Sequence, residues 1–420
     1  MARRQEELTG KIDWITVLLY SALVLFGWMM IYSAVYADDG KRIFDSSINS
    51  GKQFQWIIAS AIMATLILII DSRFYVTFSY PIYGMLIALV VSCVFIGVVV
   101  KGHRNWIRIG SFQMQPAEMA KFAVSLAVAK YMSGLNVDIR KWRDKWKVFA
   151  IIGLPMAIVL LQGDAGTSLV SLSFMLVLFR EGLEAYFLIV GGAVIVLSLV
   201  ALIFNPFIIG GILTVIAGLI IYQYFKRKKF VWMVLGIWLL STGYVFSVNF
   251  VFTHVLKSHQ KDRINVLLGK QVEAGKDWNI RQSIIAVGSG GFLGKGYLNG
   301  TQTKLKFVPE QSTDFIFSSI GEEWGFVGSA VLVALFVALF LRLLFMAERQ
   351  RSRFSRVYGY CVLCVLLFHF LINMGMAIGV MPVIGIPLPF ISYGGSALLS
   401  FTLLLFVFIR LDTQRFEMMR

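Results

Sequence analysis

Along the chain, apolar runs of about 17 to 21 residues alternate with short polar turns. Each run, as a helix rising 1.5 Å per residue, can cross a hydrocarbon core about 30 Å thick. No strand-like alternation accompanies them, so the spans read as helices rather than barrel strands. The pattern predicts an all-α polytopic membrane protein with about twelve spans, at 14–32, 54–70, 81–100, from Pro116 onward, and at 148–161, 169–179, 186–204, 207–225, 230–250, 324–345, 357–378 and 396–409. Two stretches break the regularity. Residues 288–325 are rich in glycine and polar groups, and the stretch holding Pro382, Pro387 and Pro389 cannot be one regular helix.

Flanking charge orients the spans. Arg3, Arg4 and Lys11 precede the first, and Lys226 to Lys229, Arg349 to Arg356 and Arg410 to Arg420 mark later inner turns. Both termini are therefore expected in the cytoplasm, and 251–323 is expected as one large extracytoplasmic loop. Basic residues there do not contradict this, because the positive-inside rule weakens for loops longer than ~60 residues. The chain is 58% hydrophobic, and 39 basic against 23 acidic residues leave it at +16. In so apolar a sequence that excess reads as membrane topology, not nucleic-acid binding. Cys93, Cys361 and Cys364 lie within apolar runs, where packing is expected rather than redox or metal chemistry. No cleavable signal peptide is evident, and no separate soluble domain is expected.

Candidate chemistry gathers near the outer ends of the spans. Asp314 sits just before a hydrophobic helix, as an acid with a function or as a first-turn residue behind a Ser312 or Thr313 cap. Arg104 and Arg108, interleaved with Trp106 and Ile107, suit an anion at the membrane surface or a plain interfacial loop. Glu118 and Lys121 share a helix face and can pair within the bilayer. Asp164, between Gly163 and Gly166, fits a broken helix lining a cavity or a tight turn. Residues 288–296 fail as a nucleotide-phosphate loop, since Ser289 and Gly296 occupy positions needing Gly and Ser or Thr; Lys295 and nearby backbone groups could still meet an anion. With Glu310 and Ser396, these residues fit proton-coupled transport or transfer chemistry on a lipid phosphate headgroup. The residues alone slightly favour transport.

Resemblance changes that balance. GSGGFLGKGYLNGTQ with FVPEQSTDFIFSSIGEEWGFVG, HRNWIRIGSFQMQPAEMAKF, DAGTS at 164–168 and PLPFISYGGSALLS resemble, in the same order, the SEDS family (shape, elongation, division and sporulation proteins). The similarity covers nearly the whole chain, and its wording is closer to the elongation branch than to the division branch. It implies a glycosyltransferase in the bacterial cytoplasmic membrane, its site facing the periplasm, that polymerises the undecaprenyl-pyrophosphate precursor lipid II. Asp314 then takes the family's catalytic position. Arg104, Arg108 and Lys121 become pyrophosphate contacts, and Glu118, Asp164, Lys295, Glu310 and Ser396 further substrate-site candidates. A divalent cation, magnesium or manganese, fits a pyrophosphate substrate, though no metal-ligand spacing appears. The implied partners are a class B penicillin-binding protein supplying transpeptidation and other elongation-complex membrane proteins.

There are departures. Ser312 stands for the family's His, Gly163 for a Pro and Ala117 for a Ser. The family's usual ten spans leave one pair over, read here as a helical hairpin inserted at 207–250 within a single SEDS domain, 1–420. The rival functions are a precursor flippase and a non-catalytic scaffold for a synthase.

Overall fold

The computed structural model describes residues 12–36, 42–100, 103–110, 112–256, 258–268, 270, 278–305 and 307–415. The basic flank Arg3, Arg4 and Lys11, and Arg420, lie outside them. The chain forms two compact units, Met1–Leu183 with Trp278–Arg420, and Glu184–Asp277. Among the described residues, nine helices are long and apolar enough to cross a membrane.

The first unit opens with α1 (Trp14–Val35), α2 (Asn49–Ile69), the short α3 (Ser72–Thr77) and α4 (Ser79–Ile96). The span expected at 81–100 stops at Ile96, and the chain becomes extended. Three short strands, β1 (Val98–Val100), β2 (His103–Ile109) and β3 (Phe112–Met114), form an antiparallel sheet in that order. The fold is thus largely helical with one small sheet. Val98 to Val100 prolong the apolar run with β-branched residues, which hides the change of structure from a hydropathy reading. Gly110, at φ +62°, makes the turn between β2 and β3.

Next come α5 (Pro116–Met132), α6 (Trp142–Leu161), α7 (Ala165–Val170) and α8 (Phe174–Arg180), the last two joined through a 3-10 turn at Ser171–Ser173. Pro155 interrupts α6 and leaves the Ile151 carbonyl without its helical donor; the Tyr83 hydroxyl of α4 supplies one at 2.9 Å. The second unit contains α9 (Tyr186–Ile203), α10 (Pro206–Gln223), α11 (Lys228–Phe250) and α12 (Ser258–Leu267). Within it Ala201, Ile209 and Val245 form a small core. Most other side chains of α9 to α11 face outward and are apolar, as lipid requires.

The first unit resumes with α13 (Trp278–Ser289), α14 (Thr301–Lys304), α15 (Ile316–Glu348), α16 (Arg353–Ala377) and α17 (Gly395–Thr413). The region expected as one long loop therefore has helices of its own. Helix α15 is broken at Gly325 (φ 62°, ψ −156°); the part beyond it is about 34 Å long at 1.5 Å per residue, enough for a membrane.

Helices α5, α16 and α17 are the most enclosed, and α17 abuts α2 so closely that a Cβ on Gly395 would lie 2.1 Å from the Trp56 ring. Far from the Asp314 turn, Asp13 caps α1 and accepts from Arg342 at 2.6 Å and Arg349 at 3.1 Å. Arg349 also donates to Asp412 of α17 at 3.1 Å. Burial alone would raise the Asp13 pKa, but bonds from Arg342 and the Thr16 amide outweigh it and hold the carboxyl below its usual value.

Candidate active site

The acid turn lies in front of α15. The N-cap of that helix is Phe315, which makes no side-chain cap bond. Neither Ser312 nor Thr313 caps the helix, and Asp314 precedes it. Phe315 is buried against Ala286 and Val308 and anchors the turn from below. Three successive carbonyls of the turn are then held by donors from elsewhere. Ser312 accepts from the Tyr393 amide at 2.8 Å, Thr313 from the Ser392 hydroxyl at 2.6 Å, and Asp314 from the Asn373 side-chain amide at 2.8 Å. The Asp314 carboxylate is half-buried, and a Cβ on Gly385 (φ +80°) would lie 3.5 Å from its Oδ2.

Ser312, where the resemblance expects His, accepts from Asn49 of α2 at 3.2 Å. Glu310 is exposed, at φ +55°, and its Oε2 accepts from the Thr313 hydroxyl at 2.9 Å. Burial raises the Tyr393 phenol above its usual pKa.

The extended segment at 384–387 links the Asp314 turn to two other candidate groups. Lys121 of α5 donates to Glu118 at 2.6 Å and to His369 Nε2 at 2.8 Å, and all three are buried. His369 Nδ1 lies 3.3 Å from the Pro387 carbonyl. An ammonium can only donate, so Nε2 is the acceptor and Nδ1 carries the proton toward Pro387. Lys121 is thus enclosed between Glu118, His369 and the Phe401 ring rather than open to a phosphate.

Asp164 lies across the same segment. Gly163 (φ 86°) ends α6 and Asp164 immediately caps α7, which makes this a tight turn. Its carboxylate accepts from Asn105 at 2.8 Å, Gln115 at 2.7 Å, and the Thr167 amide and hydroxyl at 3.0 and 2.9 Å. The turn packs so tightly that a Cβ on Gly166 would lie 2.8 Å from the Ile384 carbonyl. On β2, Asn105 faces inward while Arg104 and Arg108 are exposed.

Lys295 donates to Glu322 at 2.7 Å, and the fully buried Glu322 also accepts from Thr301, from Thr303 and from the Gln302 amide. The glycine loop around Lys295 is a backbone clamp on the α15 kink: the Lys295 and Gly296 amides donate to the Glu322 and Glu323 carbonyls at 3.0 and 2.9 Å, and the Phe326 amide returns a bond to Gly291 at 2.9 Å. Ser396 is buried in the first turn of α17.

A Cβ on Gly294 (φ +81°) would meet the Glu323 oxygen at 2.2 Å, while one on Gly288 would meet open space. Gly294→Ala should therefore cost about 1–3 kcal/mol or more through strain and clash. Gly288→Ala, within α13, should be neutral or gain about 0.5–1 kcal/mol. Melting of the two purified variants checks this, and equal midpoints would refute the clamp.

Reading the sequence missed His369, Asn373 and Ser392. The first two stand four apart on one face of an otherwise apolar stretch of α16, the sequence signal that could have found them. Among the described residues, no three His, Cys, Asp or Glu side chains gather as a metal site.

The family model for the cell cycle proteins FtsW, RodA and SpoVE matches residues 13–210 and 193–417. The chain belongs to the FtsW/RodA/SpoVE family. Similar members include the peptidoglycan glycosyltransferase RodA of Treponema pallidum (strain Nichols), 32% identical over 92% of this chain and 94% of that protein. The peptidoglycan glycosyltransferase MrdB of Escherichia coli (strain K12) is 31% identical over 92% of this chain and 90% of its own length. Among solved structures, a chain from a peptidoglycan synthase complex that coordinates polymerization and crosslinking aligns with a TM-score of 0.70 at 24% identity, over 97% of this chain and 99% of that one. The rod shape determining protein RodA of Thermus thermophilus aligns with a TM-score of 0.63 at 24% identity, over 96% and 98%. At that identity these alignments speak for the FtsW/RodA/SpoVE fold alone.

Proposed function

We propose that the chain is a peptidoglycan glycosyltransferase of the cytoplasmic membrane that polymerises lipid II during cell-wall elongation, with Asp314 as general base. The observation that carries this reading is the placement of Asp314: a half-buried carboxylate outside any helix, on a turn fixed at three successive carbonyls. Of the other candidate acids, Glu118 is closed off by Lys121, and Asp164 takes four hydrogen bonds, two from Thr167 of its own turn and two from Asn105 and Gln115. Asp314 takes the proton of the acceptor sugar's 4-hydroxyl as that oxygen attacks C1 of the donor sugar. The bond from C1 to the phosphate oxygen breaks, undecaprenyl pyrophosphate leaves, and C1 inverts. Arg104 and Arg108 are exposed cations able to meet that pyrophosphate.

In this reading the chain crosses the membrane about twelve times, with the site facing the periplasm and a class B penicillin-binding protein crosslinking the product. The hairpin at 207–250 contains no acid and is taken as an insertion peripheral to the chemistry. Topology is checked at Lys270, an exposed residue of the 251–323 region. A cysteine placed there should react with an impermeant reagent in whole spheroplasts; reaction only after lysis would invert the map.

Purified protein given lipid II should yield glycan strands resolved on a gel. If folded protein makes no polymer, alone or with its transpeptidase partner, the reading falls. Movement of lipid II across proteoliposomes without polymer would favour a flippase, and neither activity a scaffold.

A further inference from the structure

The general-base reading names the acid but not what holds it, and the structure supplies a candidate in Asn373. This residue lies at the outer end of α16, fully buried, and both hydrogens of its amide are used. One is donated to the Asp314 carbonyl at 2.8 Å and the other to the Ile386 carbonyl at 2.7 Å. Those two carbonyls belong to different irregular segments, the acid turn and the proline-rich segment whose Gly385 faces the Asp314 carboxylate. A single side chain therefore sets the spacing between them. Ser392 repeats the device one residue back along the turn. Its hydroxyl accepts from the Leu388 amide at 2.9 Å and donates to the Thr313 carbonyl at 2.6 Å.

The chemistry of the amide matters here. A primary amide is the one uncharged side-chain group carrying two hydrogens on a single atom, so it can bridge two carbonyls without bringing charge into an apolar helix. A carboxylate of the same shape offers neither hydrogen and would repel both oxygens. Leucine, branched at the same atom but bulkier, would leave both carbonyls buried without this donor.

We infer that Asn373, assisted by Ser392, is a positioning residue for the reaction: it fixes the Asp314 carboxylate against the Gly385 segment and does not touch substrate. This rests on Asp314 being the general base. A base displaced by about 1 Å can lose about 10²-fold in rate without weakening substrate binding.

The test is steady-state polymerisation of lipid II by purified variants matched for melting temperature. Asn373→Leu should lower kcat by about 10²-fold with KM nearly unchanged. Ser392→Ala should lower kcat by roughly 10-fold, and Ser392→Thr, which keeps the hydroxyl, should recover most of that loss. If Asn373→Leu does not fold, the Ser392 pair decides. Wild-type kcat in Ser392→Ala, a loss that Ser392→Thr does not recover, or a loss confined to KM would overturn the inference. Asp314→Asn, assayed beside them, separates two failures. An active Asp314→Asn removes the base assignment itself, whereas an inactive one beside normal Asn373 and Ser392 variants removes only the positioning role.

Discussion

Asp314→Asn should abolish glycan polymerisation in a protein that still folds and inserts. The amide has nearly the volume of the carboxylate, but it cannot accept the acceptor hydroxyl's proton at neutral pH. Loss of a general base costs ~10² to 10⁴ in rate, and at the upper end of that range little polymer would appear on a gel. Asp314 does not cap α15, and three bonds that hold its turn go to main-chain oxygens that the substitution leaves in place. Asp164→Asn is the informative comparison, because that carboxylate accepts from four donors within its own neighbourhood. There the stability should drop and turnover should follow the amount of folded protein. Near-normal polymerisation by Asp314→Asn would sink the general-base assignment.

The largest effect on stability is expected at Lys121. Its ammonium meets the Glu118 carboxylate and the His369 ring in a region where all three side chains are almost fully enclosed. Lys121→Met leaves Glu118 as an uncompensated charge in low dielectric and takes the donor from His369 Nε2. Breaking one side of such a pair costs about 3–5 kcal/mol. Combining it with Glu118→Gln should return part of that loss, because no charge is then left stranded. The measurement is thermal unfolding of all four proteins in one detergent, completing a double-mutant cycle. Additive losses would show that the two residues do not act as a pair.

The sequence made some of this legible because the signals were local. Apolar run length gave the helices, and the Glu118 and Lys121 spacing along one helix gave their pairing. The prolines at 382, 387 and 389 marked the segment that faces Asp314. What stayed hidden depended on residues distant in the chain. Lys295 looks like a free cation beside glycines until Glu322 is brought to it from 27 positions away. The glycines read only as a break in the apolar pattern, whereas Gly290 and Gly294 are there because the α15 backbone passes too close for a Cβ. His369 and Asn373 were masked by the apolar run around them. The short strands were masked for a different reason, since three valines continue a membrane span as naturally as they begin a sheet.

The ionic clasp at the other end of the bundle bears on biogenesis. Asp13 heads the first helix, and Asp412 lies in the last turns of the final one; Arg349 bonds both. A ribosome adding ~5–20 residues per second needs on the order of half a minute between the two acids. Until α17 emerges, Arg349 lacks its second acid and the enclosed faces of α5 and α16 lack one wall. The nascent helices must wait in the bilayer, or with an insertase, as an open set. Closure of the first unit therefore waits for α17, and a ribosome stalled before Asp412 would leave a chain that is inserted but unassembled.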